Sequence, residues 1–266
     1  MKKVLSFDVD QTLNVAKTPI TSDVAKLLIS CLRAGFLICP ISGQKFDQFL
    51  IQIVNPMLAN GATKDDLKNL HLFVAQGTQY YCYKPAGSYA ESNWSQVYNY
   101  PLTSAQVAEI SSALKTAAQE LGFWEEDKLQ KGDEIIENRL SQVTFSALGQ
   151  SAGTKEKYAW DPDCKKRQKI VARAKELAPD FDYEIGGTTS INAIVPGMNK
   201  VFGMTHLMEE LKVKEQDILY FGDMTQPGGN DYPVVKMGID TITVRSHEDT
   251  SFALRGILGV VGALKA

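Results

Sequence analysis

At each end of this chain a short apolar run is followed by a turn carrying an acid or a hydroxyl, and then by an apolar stripe at helical spacing. Few folds admit that alternation. Residues 4–7 read as a buried strand. Thr21 or Ser22 opens a helix whose apolar face is Val24, Leu27, Leu28, Cys31 and Leu32, and Gly35 closes it. Residues 36–41 form a second strand, Ser42-Gly43 a tight turn, and Phe46, Phe49, Leu50 and Ile53 the next helical face. Near the C-terminus the pattern returns as a helix over 201–211, a strand over 218–221, a Gly-rich turn and a strand over 241–244. A βαβα succession marks a parallel sheet with helices packed on it, so the two ends read as one open α/β domain.

Between them the pattern changes. Thr103 and Gln106 are spaced as a capping box, ahead of one helical face formed by Val107, Ile110, Leu114, Ala117 and Leu121. Residues 134–148 and 183–195 read as strands, with a basic helix over 163–177 between them. Trp94, Trp124 and Trp160 all fall in this region. The reading is an α+β domain inserted at residues 84–195, bounded by Pro85 and by Pro196-Gly197, into a core made of 1–83 and 196–266. Lys165-Lys166-Arg167 reads as a solvated helix face.

A net charge of −3 opposes a general nucleic-acid or anionic-membrane partner, and points toward small-molecule chemistry. Cys31, Cys39, Cys82 and Cys164 show no C-x-x-C spacing, so reduced thiols are expected rather than zinc or disulfides. His71, His206 and His247 are likewise too scattered for a metal site. The apolar stretch after the first residues is too short for a signal segment, and no later run reaches membrane-spanning length. A soluble, cytoplasmic protein is expected.

Four features fall at the carboxyl ends of expected strands, where open parallel sheets bind ligands. They are Asp8 with Asp10, Ser42, Lys200, and Asp223 with Asp231 in FGDMTQPGGND. An acid just after a strand is commonly a cap or turn residue. Here, however, carboxylates gathered at neighbouring strand ends would repel one another unless a hard dication joined them, and oxygen-only ligation favours Mg²⁺. A hydroxyl and an ammonium nearby supply what a phosphate needs. Asp8 can then attack phosphorus, and Asp10 can protonate the leaving oxygen and later deprotonate the acceptor. Mg²⁺, Ser42 and Lys200 would stabilise charge on the transferring group.

In that arrangement the chain resembles the haloacid dehalogenase-like phosphatases and phosphomutases, in the branch whose α+β cap is inserted between the second and third motifs. FDVDQTL resembles the nucleophile loop, ISG the Ser/Thr motif with Gly43, GMNK the lysine motif, and GD with GGND the acidic motif. GDMTQPGGND and IGGTTSINAIVPGMNK are most similar to eukaryotic-type phosphomannomutases. The resemblance implies a Rossmann-like parallel-sheet core with a cap. It also implies Asp8 as nucleophile, Asp10 as acid/base, and Mg²⁺ on Asp8, the Asp10 carbonyl and Asp223, with Asp231 positioning that shell. It leaves room for a homodimer through the cap.

The substrate-binding positions depart from the family pattern. Those best matched to its phosphate and sugar contacts are Lys17, Lys131, Arg139, Gln150, Ser190 and Asn192, and only Arg139 and Ser190 keep the family residue type. Lys is a point charge and Gln carries none, so a clamp for a second phosphate is weaker than one built from Arg. Gln11 stands where the family carries glycine. The first expectation is therefore a Mg²⁺-dependent phosphatase hydrolysing a small phosphorylated metabolite, such as a sugar phosphate. The alternative is a phosphomannomutase interconverting mannose 1-phosphate and mannose 6-phosphate. A third is a phosphometabolite-binding protein without turnover.

Overall fold

The structure is a computed structural model that describes residues 2–84 and 93–264. The chain divides into two units, residues 1–99 with 199–266, and residues 100–198.

The first segment of the first unit runs β1 (Val4–Phe7), α1 (Ser22–Arg33), β2 (Leu37–Pro40), α2 (Phe46–Phe49), α3 (Asn55–Ala59), β3 (His71–Val74), β4 (Gln79–Tyr83) and β5 (Trp94–Asn99). Thr21 caps α1 by accepting from the Val24 amide, and Gly35 takes φ +91° just beyond its end. A π-helical turn, Leu50–Val54, joins α2 to α3. Strands β3, β4 and β5 form an antiparallel sheet.

That pairing moves the expected boundary. β5 is a ladder partner of β4, so the first unit continues to residue 99 instead of ending at 83, and it resumes at 199 instead of 196. Pro85 lies outside the described residues. Trp94 consequently belongs to the first unit, edge-on to Phe46 at 6.2 Å and to Tyr83 at 5.5 Å.

The second unit contains α4 (Ser104–Glu120), β6 (Ile136–Asn138), β7 (Val143–Ser146), α5 (Thr154–Trp160), α6 (Lys165–Leu177), β8 (Asp182–Gly186) and β9 (Ser190–Ile194). Thr103 and Gln106 form the expected capping box. Each long expected strand is a hairpin, folded near Leu140 at φ +67° and Gly187 at φ +50°. The sheet order is β6-β7-β9-β8, all antiparallel. Ile110, Leu114, Val143, Phe145, Ile170, Ile191 and Ala193 share its core.

The basic run is not uniformly solvated. Arg167 is 2% exposed: its guanidinium donates to Asp161 at 2.7 Å and to the carbonyls of Gly186 and Gly187 at 3.1 and 2.7 Å. One α6 position faces the β8–β9 turn, and the two carbonyls there, with the carboxylate and carbonyl of Asp161, compensate a charge that apolar neighbours could not.

The chain then returns to the first unit with α7 (Lys200–Leu211), β10 (Ile218–Gly222), α8 (Tyr232–Lys236), β11 (Asp240–Thr243) and α9 (His247–Val260). The main sheet is parallel throughout, in the order β11-β10-β1-β2, and bridges at Ile38–Leu70 and Ile41–Phe73 continue it from β2 to β3. Phe7 is in register with Phe221 and Pro40, which brings the segments following β1, β2 and β10 to one edge. No helix of the described residues is long and apolar enough to cross a membrane.

Candidate active site

Asp8 follows β1 directly, its amide donating to the Phe221 carbonyl at 2.8 Å. Lys200 opens α7, where the Asn199 side chain accepts from the Val201 amide as N-cap. The Lys200 ammonium reaches Asp8 Oδ1 at 2.5 Å and also pairs with Asp231 Oδ1; Lys200 is 2% exposed, Asp8 5% and Asp231 fully buried. Asp223, beyond β10, is half-buried. Carboxylate oxygens of Asp8, Asp223 and Asp231 all lie within 4.8 Å of one another.

Three carboxylates against one ammonium leave a surplus of buried negative charge. Burial pushes the Asp8 carboxyl well above its usual range, and the charges of Asp231 and Asp223 add to this against the pull of Lys200. Burial, with the Asp231 charge, pushes Asp223 up to about 6. An oxygen-only set with excess negative charge fits a hard dication such as Mg²⁺. Asp231 has little left to offer one: Oδ1 accepts from Lys200 and from the Tyr220 hydroxyl at 2.6 Å, and Oδ2 accepts from the Met224 amide at 3.0 Å. Asp8 and Asp223 remain as the side-chain ligands that could hold a metal.

Asp10 stands outside this group of three. Its Oδ1 accepts from the Lys17 amide at 2.8 Å and from Gln44 Nε2 at 3.0 Å, which separates the roles of two acids that are neighbours in sequence. Gln11 adopts φ +66°, so the position that carries glycine in the resembled family is left-handed here, at a cost of about 1–2 kcal/mol. Lys17 is left-handed too, at φ +63°. Ser42 is buried beyond β2, donating its amide to Phe73 O at 3.2 Å and accepting from the Gln76 amide at 2.9 Å, with Gly43 next in the turn.

In the second unit, Arg139, Gln150 and Ser190 form one polar cluster. Arg139 is ion-paired with Glu137 at 2.8 Å; Gln150 donates to Ser146 Oγ at 3.1 Å, and Ser146 Oγ lies 3.3 Å from Ser190 Oγ. Asn192 belongs to a neighbouring network, accepting from Thr144 at 2.9 Å and Gln142 at 3.2 Å. Ser190 and Asn192 share a face of β9 because they are two residues apart. Lys131 lies in an exposed turn and takes no part in these bonds.

Two site residues escaped sequence reading. Tyr220, on β10, looks like one more buried aromatic, and its hydroxyl contact with Asp231 is a tertiary fact. Gln44 follows the Ser42-Gly43 turn, and its spacing from Asp10 carries no signal.

The family model of eukaryotic phosphomannomutases matches residues 125–260, just over half of the chain. The probable phosphomannomutase of Caenorhabditis elegans is 26% identical over 266 residues, covering 97% of this chain and 96% of that protein. The phosphomannomutase of Saccharomyces cerevisiae is 26% identical over 254 residues, covering 92% and 89%. Among solved structures, N-terminally truncated Plasmodium falciparum IMP-nucleotidase aligns with a TM-score of 0.66 at 17% identity, over 97% of this chain and 70% of that one. A haloacid dehalogenase-like hydrolase from Bacteroides thetaiotaomicron aligns at 0.61 and 15%, over 97% and 100%. These structures share the fold, and the relatives extend the likeness across both units. With the motif-bearing residues gathered at one edge of the parallel sheet, this chain is an enzyme of the haloacid dehalogenase superfamily and belongs to its eukaryotic phosphomannomutase family.

Proposed function

We propose that this protein is a phosphomannomutase, moving a phosphoryl group between positions of a hexose phosphate by way of an aspartyl phosphate on Asp8. The observation that carries the chemistry is the buried Lys200 ammonium shared by Asp8 and Asp231 beside Asp223. The relatives' names support the choice of acceptor, a sugar hydroxyl rather than water. Asp8 attacks phosphorus as the ester oxygen departs, and Asp10 gives that oxygen its proton. In the reverse sense Asp10 takes the proton of the attacking hydroxyl. Lys200 and Ser42 bind the phosphoryl oxygens, and Asp231 with Tyr220 holds the ammonium in place. Mg²⁺, held by Asp8, Asp223 and the Asp10 carbonyl, would neutralise charge on the phosphate.

One observation favours hydrolysis as a second reading. The cap cluster offers a single guanidinium, Arg139, already paired with Glu137, beside an uncharged Gln150. Each missing charge-assisted contact costs about 1.5–3 kcal/mol, so one or two would weaken retention of a bisphosphate by a factor on the order of ten to ten thousand or more. The test supplies mannose 1-phosphate, Mg²⁺ and a hexose bisphosphate activator, and follows mannose 6-phosphate and inorganic phosphate together. Isomer forming faster than phosphate supports the mutase. The reverse order replaces it with a phosphatase, and absence of both products removes the phosphoryl-transfer reading.

A further inference from the structure

Asp10 is the group asked to move a proton, and the structure decides which of its oxygens can do so. Two N–H donors converge on Oδ1, the Lys17 amide and Gln44 Nε2. An oxygen whose lone pairs are engaged by donors is a poor site for a proton, so the proton of the acid form belongs on Oδ2. Gln44 is 8% exposed, and its Oε1 has no donor among the described residues. With its N–H engaged and its carbonyl oxygen unmet, the buried amide has an acceptor open to an O–H donor.

Gln44 is itself held firmly. Its carbonyl accepts from the Ala75 amide at 3.1 Å. Ala75, Gln76 and Gly77 all lie at positive φ, at 49°, 61° and 84°, and all are buried. Consecutive residues in such a conformation cost on the order of 1–3 kcal/mol each for the two that are not glycine, and persist where the surroundings over-determine them. The loop that carries the other donor is tied to a different segment: Asn14 donates to Gln52 Oε1 at 2.9 Å, and Gln52 sits in the π-helical turn. Single π turns inside helices recur at functional sites.

We infer that Gln44 is a positioning residue for proton transfer, orienting Asp10 so that Oδ2 meets the oxygen that leaves or attacks. This inference rests on the proposed phosphoryl transfer. In that step the Asp8 oxygen–phosphorus bond forms, the phosphorus–ester oxygen bond breaks with its electron pair staying on the ester oxygen, and the Oδ2 proton passes to that oxygen. An ester whose leaving group is stable as an anion has little use for the proton.

The experiment is rapid-quench measurement of phosphoenzyme formation by the full chain with Mg²⁺, from a hexose 1,6-bisphosphate and from p-nitrophenyl phosphate. Gln44→Met is expected to slow the sugar phosphate by about ten- to a hundredfold more than the aryl ester, part of the ~10²–10⁴ that a positioned general acid supplies. Should Gln44→Met not fold, Gln44→Glu keeps the shape, loses the donor, and is expected to show the same selective loss. Equal losses on both esters in the folded variant mean a structural role and overturn the assignment. Wild-type protein that forms no phosphoenzyme from either ester overturns the phosphoryl-transfer reading, and this assignment with it.

Discussion

In the proposed mechanism Asp8 carries two burdens, as nucleophile and as a member of the three-carboxylate group, and a single atom change separates them poorly. Asp8→Asn replaces a carboxylate with an amide that is a weak nucleophile and a weaker metal ligand. We expect no phosphoenzyme and turnover below a few per cent of wild type, read by acid-quenched phosphate incorporation; larger residual turnover would remove Asp8 as nucleophile. Gly222 is a less obvious site residue. A Cβ there would lie 2.6 Å from Asp231 Oδ2, so the carboxylate that anchors Lys200 can pack only against a glycine. Gly222→Ala is expected to displace Asp231, costing about 1–3 kcal/mol by overpacking and at least about tenfold in turnover. Urea denaturation and steady-state kinetics check both numbers, and full activity would mean that the ammonium needs no such anchor.

At the scale of elements, α7 shows how packing sets chemistry. Its Gly203 lies against Gly77, where a Cβ would come 2.3 Å from the Gly203 Cα, so the helix that carries Lys200 closes directly onto the loop that braces Ser42 and Gln44. The sequence shows GMNK as a motif but not why a glycine follows three residues later. Helix α6 makes the converse point. A run of basic residues is ordinarily a wet face, yet Arg167 closes the unit's interior by bonding Asp161 and two carbonyls. Arg167→Leu leaves the Asp161 carboxylate buried without its partner, which typically costs about 3–5 kcal/mol. Urea denaturation followed by Trp124 and Trp160 emission in a Trp94→Phe background should show that loss in the second unit. A shift under about 1 kcal/mol would mean that the guanidinium is dispensable.

For the whole molecule, stability against acid should carry the mark of one histidine. His71 is 9% exposed, and its Nδ1 lies 2.8 Å from the Tyr80 hydroxyl. Burial lowers its pKa from 6.5 to about 4. Above pH 6.5 both folded and unfolded chains keep it neutral, and it adds no pH dependence. Between about 6.5 and 4 the unfolded chain binds a proton that the folded chain refuses, so stability falls as pH falls, by on the order of 3 kcal/mol over that window, and the slope vanishes below it. Urea midpoints at pH 7 and pH 5 should therefore converge in a His71→Phe, Tyr80→Phe double variant relative to wild type. An unchanged difference would show that His71 titrates normally in the fold.

Hydrophobic period and turn chemistry act between neighbours along the chain, and so the α/β core, the α1 and α4 caps and the four motifs could be read from residue order. Asp8, Ser42, Lys200 and Asp223 could be placed at element ends because each directly follows or opens an element whose end the pattern locates. What the pattern could not carry are contacts between residues far apart in sequence. The β4–β5 ladder moved a unit boundary and took Trp94 with it, and each long expected strand turned back as a hairpin. Tyr220 reached Asp231, Arg167 went inside, and Gln44 met Asp10 across 34 positions. Asp8 and Asp10 are two residues apart, and residue order pairs them as like charges. Tertiary packing gives one to Lys200 and the other to Gln44, because a buried carboxylate takes its function from the donors that surround it.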